Sequence, residues 1–350
     1  MADISVPMTQ GTIWKRITFF ALPLFLGNLF QQLYNTADSL IVGNLLGSHA
    51  LAAVSSAGNL IFMLVGFLNG LSLGAGVVIA RYYGAGDTPR MQTAIHTTAA
   101  MGLAASVLMT AAGVGLSPTI LRWVDTPEAV MADSVTYLQL YFWGSLGVVM
   151  YNIFVGILQA IGDSKHPLYY LMISSVVNVV LDLVFVALFH WGVAGAAIAT
   201  GISQLLSAGL CMARLLRTRE SYRLSLRAIR FDWPMLRQIV RFGLPSGVQN
   251  SIIAFANLVV QANVNAFGEM AMAGVGAYSK IEGFGFLPIT SFTMALTTFV
   301  SQNLGADDRQ RAAKGARFGV AATVIMAAAV GGGGFILAPP PLPTLRSPPP

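Results

Sequence analysis

Residues 22–54 read LPLFLGNLFQQLYNTADSLIVGNLLGSHALAAV, and the way polar side chains are spaced in this run decides the fold. The run is apolar enough, and at about 20 residues or more long enough, to cross a bilayer as one helix before turning. Gln31, Tyr34, Asn35 and Asp38 fall at i, i+3, i+4 and i+7, which places them on one helical face. An acid at bilayer depth is costly and marks a functional site by default, so this stripe is expected to face protein or a water-filled cavity rather than lipid. Pro23 can kink the same helix upstream of the stripe.

The rest of the chain agrees with a membrane setting. Of 350 residues, 55% are apolar and only 10% are charged, against about 25% charged in ordinary soluble domains. The mean hydropathy is +0.68. So few charges cannot cover a soluble surface, which excludes an ordinary cytosolic enzyme, a disordered chain and a nucleic-acid-binding domain. The net charge of +6 is therefore read as loop asymmetry, with the lipid bilayer as partner and no nucleic acid. The single Cys211 allows no intramolecular disulfide and is expected to be a buried, inert thiol.

Long apolar runs give about nine candidate spans, near 17–42, 52–80, 93–116, 132–160, 168–190, 193–213, 239–266, 271–300 and 315–337. Lys15 and Arg16 precede the first, but its length and polar residues make it a retained span rather than a signal peptide. With the N-terminus inside, one set of loops and span ends collects Lys15, Arg16, Arg81, Arg90 and Lys165. The same side holds Arg214, Arg217, Arg219, Arg223, Arg227, Arg230, Arg237 and Arg241, and then Arg309, Arg311, Lys314 and Arg317. Only Arg122, Lys280 and Arg346 are left over. Basic residues accumulate in cytoplasmic loops, so the expectation is a multi-pass protein of the plasma (cell inner) membrane with a cytoplasmic N-terminus.

The chain also repeats itself. A shift of 222 pairs Leu22, Pro23, Asn28 and Asn35 with Leu244, Pro245, Asn250 and Asn257, and a shift of 221 pairs Gly84, Ala85 and Asp87 with Gly305, Ala306 and Asp308. GAGD and GADD each follow the second span of their half. Six intervening spans make the two halves enter the membrane in the same sense, the parallel-repeat arrangement that places a substrate site between halves. The expected organisation is an all-α polytopic membrane protein with two parallel-repeat lobes. An N-lobe of six spans (1–216) is followed by an Arg-rich cytoplasmic linker (217–237) and a partial C-lobe of three spans (238–337). The tail 338–350, APPPLPTLRSPPP, cannot continue a helix and is expected to be extended or disordered. Together with the three missing spans it reads as C-terminal truncation or frame alteration.

Three acids fall inside spans. Besides Asp38, Asp182 lies four residues after Asn178, on one helical face. An amide oxygen and a carboxylate suit a hard cation such as Na⁺, the carboxylate alone suits a proton, and Thr200 in the next span can add a hydroxyl. The alternative is a buried polar knot between spans five and six. Glu282 and Lys280 sit two apart and point to different faces, so each needs a partner elsewhere, as in a buried ion pair. His49 and His96 stand singly, and GAGD and GGGG lack the GK[ST] of a P-loop. No catalytic triad, HExxH or Cys pair occurs, so neither an enzyme nor a cofactor is expected.

The opening stretch 22–54, the following RYYGAGD, the NVVLD of span five and the FGLPSGVQN that reopens the second half together resemble the multidrug and toxic compound extrusion (MATE) transporters, from about residue 12 to 335. The resemblance implies two lobes in a V shape that alternates between inward- and outward-open states. It implies that Asp38 is protonated or cation-linked, that Asn178, Asp182 and Thr200 form an N-lobe Na⁺ site, and that Gln31 and Tyr34 line the cavity. One departure is that the position matching Asp38 in the second half is Val260. The expected function is a monomeric antiporter exporting amphipathic or cationic small molecules in exchange for Na⁺ or H⁺. The alternatives are a flippase for lipid or lipid-linked precursors, and an inactive membrane fragment.

Overall fold

The computed structural model describes residues 7–123, 126–265, 267 and 269–337, with few side chains described between 48 and 64 and between 258 and 281. In hydrocarbon each backbone N–H and C=O must find its partner inside its own segment, which a helix provides. Among the described residues the chain is helical throughout, with no strand. The helices are α1 (Ile13–Gly84), α2 (Thr88–Trp123), α3 (Glu128–Trp143), α4 (Ser145–Ala160), α5 (Lys165–Asp182), α6 (Gly192–Arg217), α7 (Trp233–Asn265), α8 (Glu269–Gly305) and α9 (Arg309–Leu337). A π-helical stretch, Leu183–Leu188, prolongs α5. The Pro-rich tail lies outside the described residues.

Among the described residues seven helical segments are long and apolar enough to cross a membrane, and α3 with α4, bent by 48°, makes an eighth. The ninth expected span, 239–266, does form a helix, the 33-residue α7. Its Gln249, Asn250 and Asn257 keep it more polar than the others, so eight spans rather than nine pass on composition. The expected loop between the first two spans is not a loop either. Helix continues on both sides of Gly47, whose backbone (φ 85°, ψ 179°) makes the break. A residue without Cβ reaches that conformation at no steric cost, so one glycine does the work of a connection.

The repeat seen in the sequence is a repeat of turn geometry. At the end of α1, Ala85 N–H donates to Arg81 O, Asp87 N–H donates to Tyr82 O, and Gly86 takes a φ of +68°. Asp87 Oδ1 then accepts from Arg90 N–H and caps α2. At the end of α8, Ala306 N–H donates to Gln302 O, Asp308 N–H to Asn303 O, and Asp307 has a φ of +57°. Asp308 Oδ1 accepts from Arg311 N–H and caps α9. A third copy, missed in the sequence, joins α4 to α5. There Gly162 has a φ of +90°, Asp163 N–H donates to Leu158 O, and Asp163 Oδ1 accepts from His166 N–H.

The halves touch through backbones. A Cβ on Gly70 would overlap the backbone of Gly247, and one on Gly74 that of Gly243. Gly84 lies against the backbone of Gln302, and Gly305 against that of Arg81. Asn28 and Asn250, equivalent in the repeat, each reach across. Asn28 Nδ2 donates to Ser291 Oγ at 2.9 Å, and Asn250 Nδ2 to Gly66 O at 3.2 Å. Tyr82 Oη donates to Gln238 Oε1 at 3.0 Å. Beside them, Ile17, Phe20, Ala21 and Leu24 of α1 pack with Phe292, Ala295 and Phe299 of α8. These contacts run from the end of the bundle that carries the basic residues, at Tyr82, Gly84 and Gly305, inward to about the middle of the helices at Asn28, Gly66, Asn250 and Ser291.

The segment between α6 and α7 is packed down rather than loose. Tyr222 and Leu224 are buried in the first half's core, and His96 Nε2 accepts from Ser225 N–H at 3.0 Å while Nδ1 faces Gln92 O at 2.7 Å. His96 is thus a fixed structural residue, and Cys211 is fully buried. Replacing Gly74 by Leu should lower thermal stability by about 1–3 kcal/mol by forcing the halves apart. Gly115→Leu, where a Cβ meets nothing within 4 Å, should leave the melting curve in place. Equal melting of the two variants would show that the glycine contact is not a constraint.

Candidate functional site

Asn178 and Asp182, one turn apart near the end of α5, are both completely buried. The orientation of the Asn178 amide that matches donors to acceptors lets its nitrogen donate to Asp182 Oδ2 at 2.9 Å and its oxygen accept from Thr200 N–H at 3.3 Å. One amide thereby ties α5 to α6 and fixes the Asp182 carboxyl. From α1, Asp38 approaches until its carboxyl lies within hydrogen-bonding reach of that of Asp182. Tyr34, one turn before Asp38, reaches toward the Thr200 side chain. Three helices distant in sequence therefore converge and bring Asp38, Asn178, Asp182 and Thr200 together.

The oxygens at this junction are under-satisfied. Asp38 Oδ1, Asp182 Oδ1 and Thr200 Oγ1 are buried and have no hydrogen-bond partner among the described residues, and the same holds for Gln204 Oε1 one turn along α6. Buried polar atoms are ordinarily partnered, so a cluster of exceptions calls for an explanation. Two carboxylates cannot hydrogen-bond each other as anions, and their repulsion is relieved only by a proton or a cation placed between them. The donors are all hard oxygens, the set that suits a proton or an alkali or alkaline-earth cation and not a soft metal. No group of three or more His, Cys, Asp or Glu that could hold a metal occurs among the described residues.

The polar stripe on α1 divides its labour. Tyr34 and Asp38 are half-buried toward the first half, whereas Asn35 is exposed and accepts from Gln31 Nε2 at 3.4 Å. Asn28, one further step along the stripe, holds the second half through Ser291. The expected charged pair fares differently. Glu282 is half-buried and in contact with other groups, but the Lys280 side chain lies outside the described residues. Two tyrosines of α3 that were not anticipated from the sequence join this junction: Tyr137 stands close to Asp38, Asp182 and Tyr34, and Tyr141 close to Tyr34 and Tyr137. Gln204 was not anticipated either. Their only sequence signal is a one-turn spacing, Tyr137 to Tyr141 and Thr200 to Gln204.

A second buried acid, Asp163, belongs to the α4–α5 turn. It bonds His166 Nδ1 at 2.7 Å and lies 4.0 Å from Arg214 Nε, pinning the end of α6 to that turn.

A multi-pass helical protein of two repeated halves, with cation- or proton-competent oxygens buried in one of them, has the architecture of a secondary transporter rather than of an enzyme. A sequence model of the MatE family matches residues 23–184 and 245–349, and the chain belongs to that family. It is 31% identical over 309 residues to the probable multidrug resistance protein YpnP of Bacillus subtilis (strain 168), across 87% of this chain and 68% of that one. It is 25% identical over 308 residues to the probable multidrug resistance protein NorM of Thermotoga maritima, across 85% and 65%. The chain thus spans about two thirds of the length of these curated relatives. Among solved structures, the outward-facing conformation of a multidrug resistance MATE family transporter of the MOP superfamily superposes with a TM-score of 0.88 at 24% identity, covering 97% of this chain and 75% of that one.

Asn178→Ala should cost about 1–3 kcal/mol, because it leaves a buried carboxyl oxygen without its donor. Asn178→Ala in an Asp182→Asn background should cost less, and thermal unfolding of the four proteins of this cycle measures the difference. Additive effects would mean that the Asn178–Asp182 bond is not made.

Proposed function

We propose that this protein is a secondary antiporter that exports amphipathic, often cationic small molecules in exchange for H⁺ or Na⁺. The observation that carries the reading is the pair of facing carboxyls, Asp38 and Asp182, with unpartnered oxygens around them. Such a pair holds a proton or a cation well and an empty, doubly charged state badly, so ion loading changes the energy of whichever arrangement keeps Asp38 against Asp182. A ligand drives a conformational equilibrium only by its differential affinity for the two states. Asp38 sits on the same helix as Asn28, which grips the second half, so loading at the pair has a direct route to the contact between halves. Gln31, Tyr34 and Asn35 would face the exported molecule, and Asn178, Asp182 and Thr200 the coupling ion.

The repeat supports assigning 1–216 and 238–337 as lobes around a cleft, with 217–237 as the linker, and a single chain supplies both walls. With the basic end cytoplasmic, the glycine contacts close the cytoplasmic side and the cleft faces outward. The setting that follows is the plasma membrane with the N-terminus inside. The family reading and the names of the relatives point to drugs and toxic compounds as substrates.

The test is gradient-driven efflux of an ethidium-like dye from proteoliposomes containing the full chain. Asp38→Asn should reduce gradient-dependent efflux by about tenfold or more while dye binding changes little, in line with typical coupling free energies. Imposing a Na⁺ gradient or a pH gradient separately identifies the ion. Full gradient-dependent efflux by Asp38→Asn would sink the coupling role.

A further inference from the structure

An open groove of about 440 Å³ lies at the end of the molecule where the halves meet. Gly11, Thr12, Ile13 and Trp14 from the start of α1 form one wall, and Arg311, Lys314 and Phe318 of α9 the other. Its lining holds two cations and no carboxylate. We propose that this groove binds the headgroup of an anionic phospholipid, with Arg311 and Lys314 taking the phosphate and Trp14 and Phe318 flanking the first carbons of the lipid.

The arrangement on α9 favours an amphiphile over a free anion. Arg311, Lys314, Phe318 and Ile325 fall at i, i+3, i+7 and i+14, a single stripe along the helix. Lys314 is exposed, and Ile325 is 68% exposed further along. A cationic head above an outward-facing apolar track is the complement of a phospholipid. On the opposite wall Trp14 is half exposed, with the Lys15 ammonium 5.6 Å from its ring centre. Tryptophan is the residue that settles at headgroup level, and basic pockets between spans are the usual receivers of anionic headgroups. The first turn of α1 adds to the positive potential, because Thr12 makes no side-chain cap and no acid occupies that turn. The two acids that precede α9 in the chain are already engaged, Asp308 in capping α9 and Asp307 with Arg309 at 3.5 Å.

Occupancy of the groove would also act on the halves. Arg311 Nη2 donates to Met8 O at 3.3 Å, leaving its buried Nε without a partner among the described residues. The buried Gln302 of α8 accepts from Met8 N–H at 2.9 Å and donates to Ala160 O at 2.7 Å. A lipid that holds Trp14 and Lys314 together thus joins the start of the first half to the second, and favours the state in which this end is closed.

The experiment uses the purified full chain in detergent, read by native mass spectrometry for bound lipid and by thermal unfolding. Phosphatidylglycerol should be retained and raise the unfolding temperature, and neither phosphatidylcholine nor inorganic phosphate should do so. Lys314→Gln should weaken phosphatidylglycerol binding about fivefold, the loss expected for one basic residue at a membrane surface. Because Lys314 is exposed, that variant should unfold at the wild-type temperature without lipid, and Lys314→Arg should restore binding. Arg311→Gln should weaken binding as well, and if it does not fold Lys314 alone decides. Equal retention of phosphatidylcholine, an equal shift with inorganic phosphate, or unaltered binding by Lys314→Gln would each overturn the proposal.

Discussion

Direct backbone contact between the two halves is the constraint on which the rest of the structure depends. In lipid there is no hydrophobic drive to bring helices together, so association relies on close van der Waals packing, which small residues permit. Gly70 against Gly247, Gly74 against Gly243, and Gly84 and Gly305 against opposing backbones supply that approach. The reciprocal bonds of Asn28 and Asn250 fix the register. These contacts run from the end that carries the basic residues inward to about the middle of the helices, where Asn28, Gly66, Asn250 and Ser291 lie. Asp38 lies about three turns beyond Asn28 on α1, past the last of them.

The two halves share turns and contacts but not chemistry. Where the first half carries Asp38, the second carries Val260, 58% exposed. The first half instead gathers Asp38, Asp182, Asn178, Thr200 and the nearby tyrosines into a buried polar centre. An apolar replacement of the second copy avoids placing another charge at bilayer depth. The polar centre thus shares a helix with the inter-half contact made by Asn28.

Much of this was legible because the membrane restricts the vocabulary. Apolar runs located eight spans, and the run at 239–266 located a helix whose Gln249, Asn250 and Asn257 make it less apolar. Those polar residues are there partly for the other half, since Asn250 holds Gly66 O, which hydropathy cannot reveal. The GAGD and GADD repeat was legible as letters. Its third copy at Gly162 and Asp163 was not, because the preceding residue is Ile161 and the copy falls outside the 221-residue shift. The linker looked like a charged tether because its arginines dominate, and the burial of Tyr222 and Leu224 between them became visible only in three dimensions.

The sequence by itself determined that this is a multi-pass helical membrane protein of two repeated halves, with Asp38 and the Asn178–Asp182 pair as its costly interior groups. Helical periodicity and the price of charge in hydrocarbon are local properties, readable one segment at a time. Only the tertiary structure decided that Asp38 faces Asp182, that Asn178 ties Asp182 to Thr200, that Tyr137, Tyr141 and Gln204 lie nearby or alongside, and that the halves close at the basic end. Those facts depend on which helix lies against which. Because that choice is made by backbone approach between residues some 170 to 220 positions apart, no single segment records it.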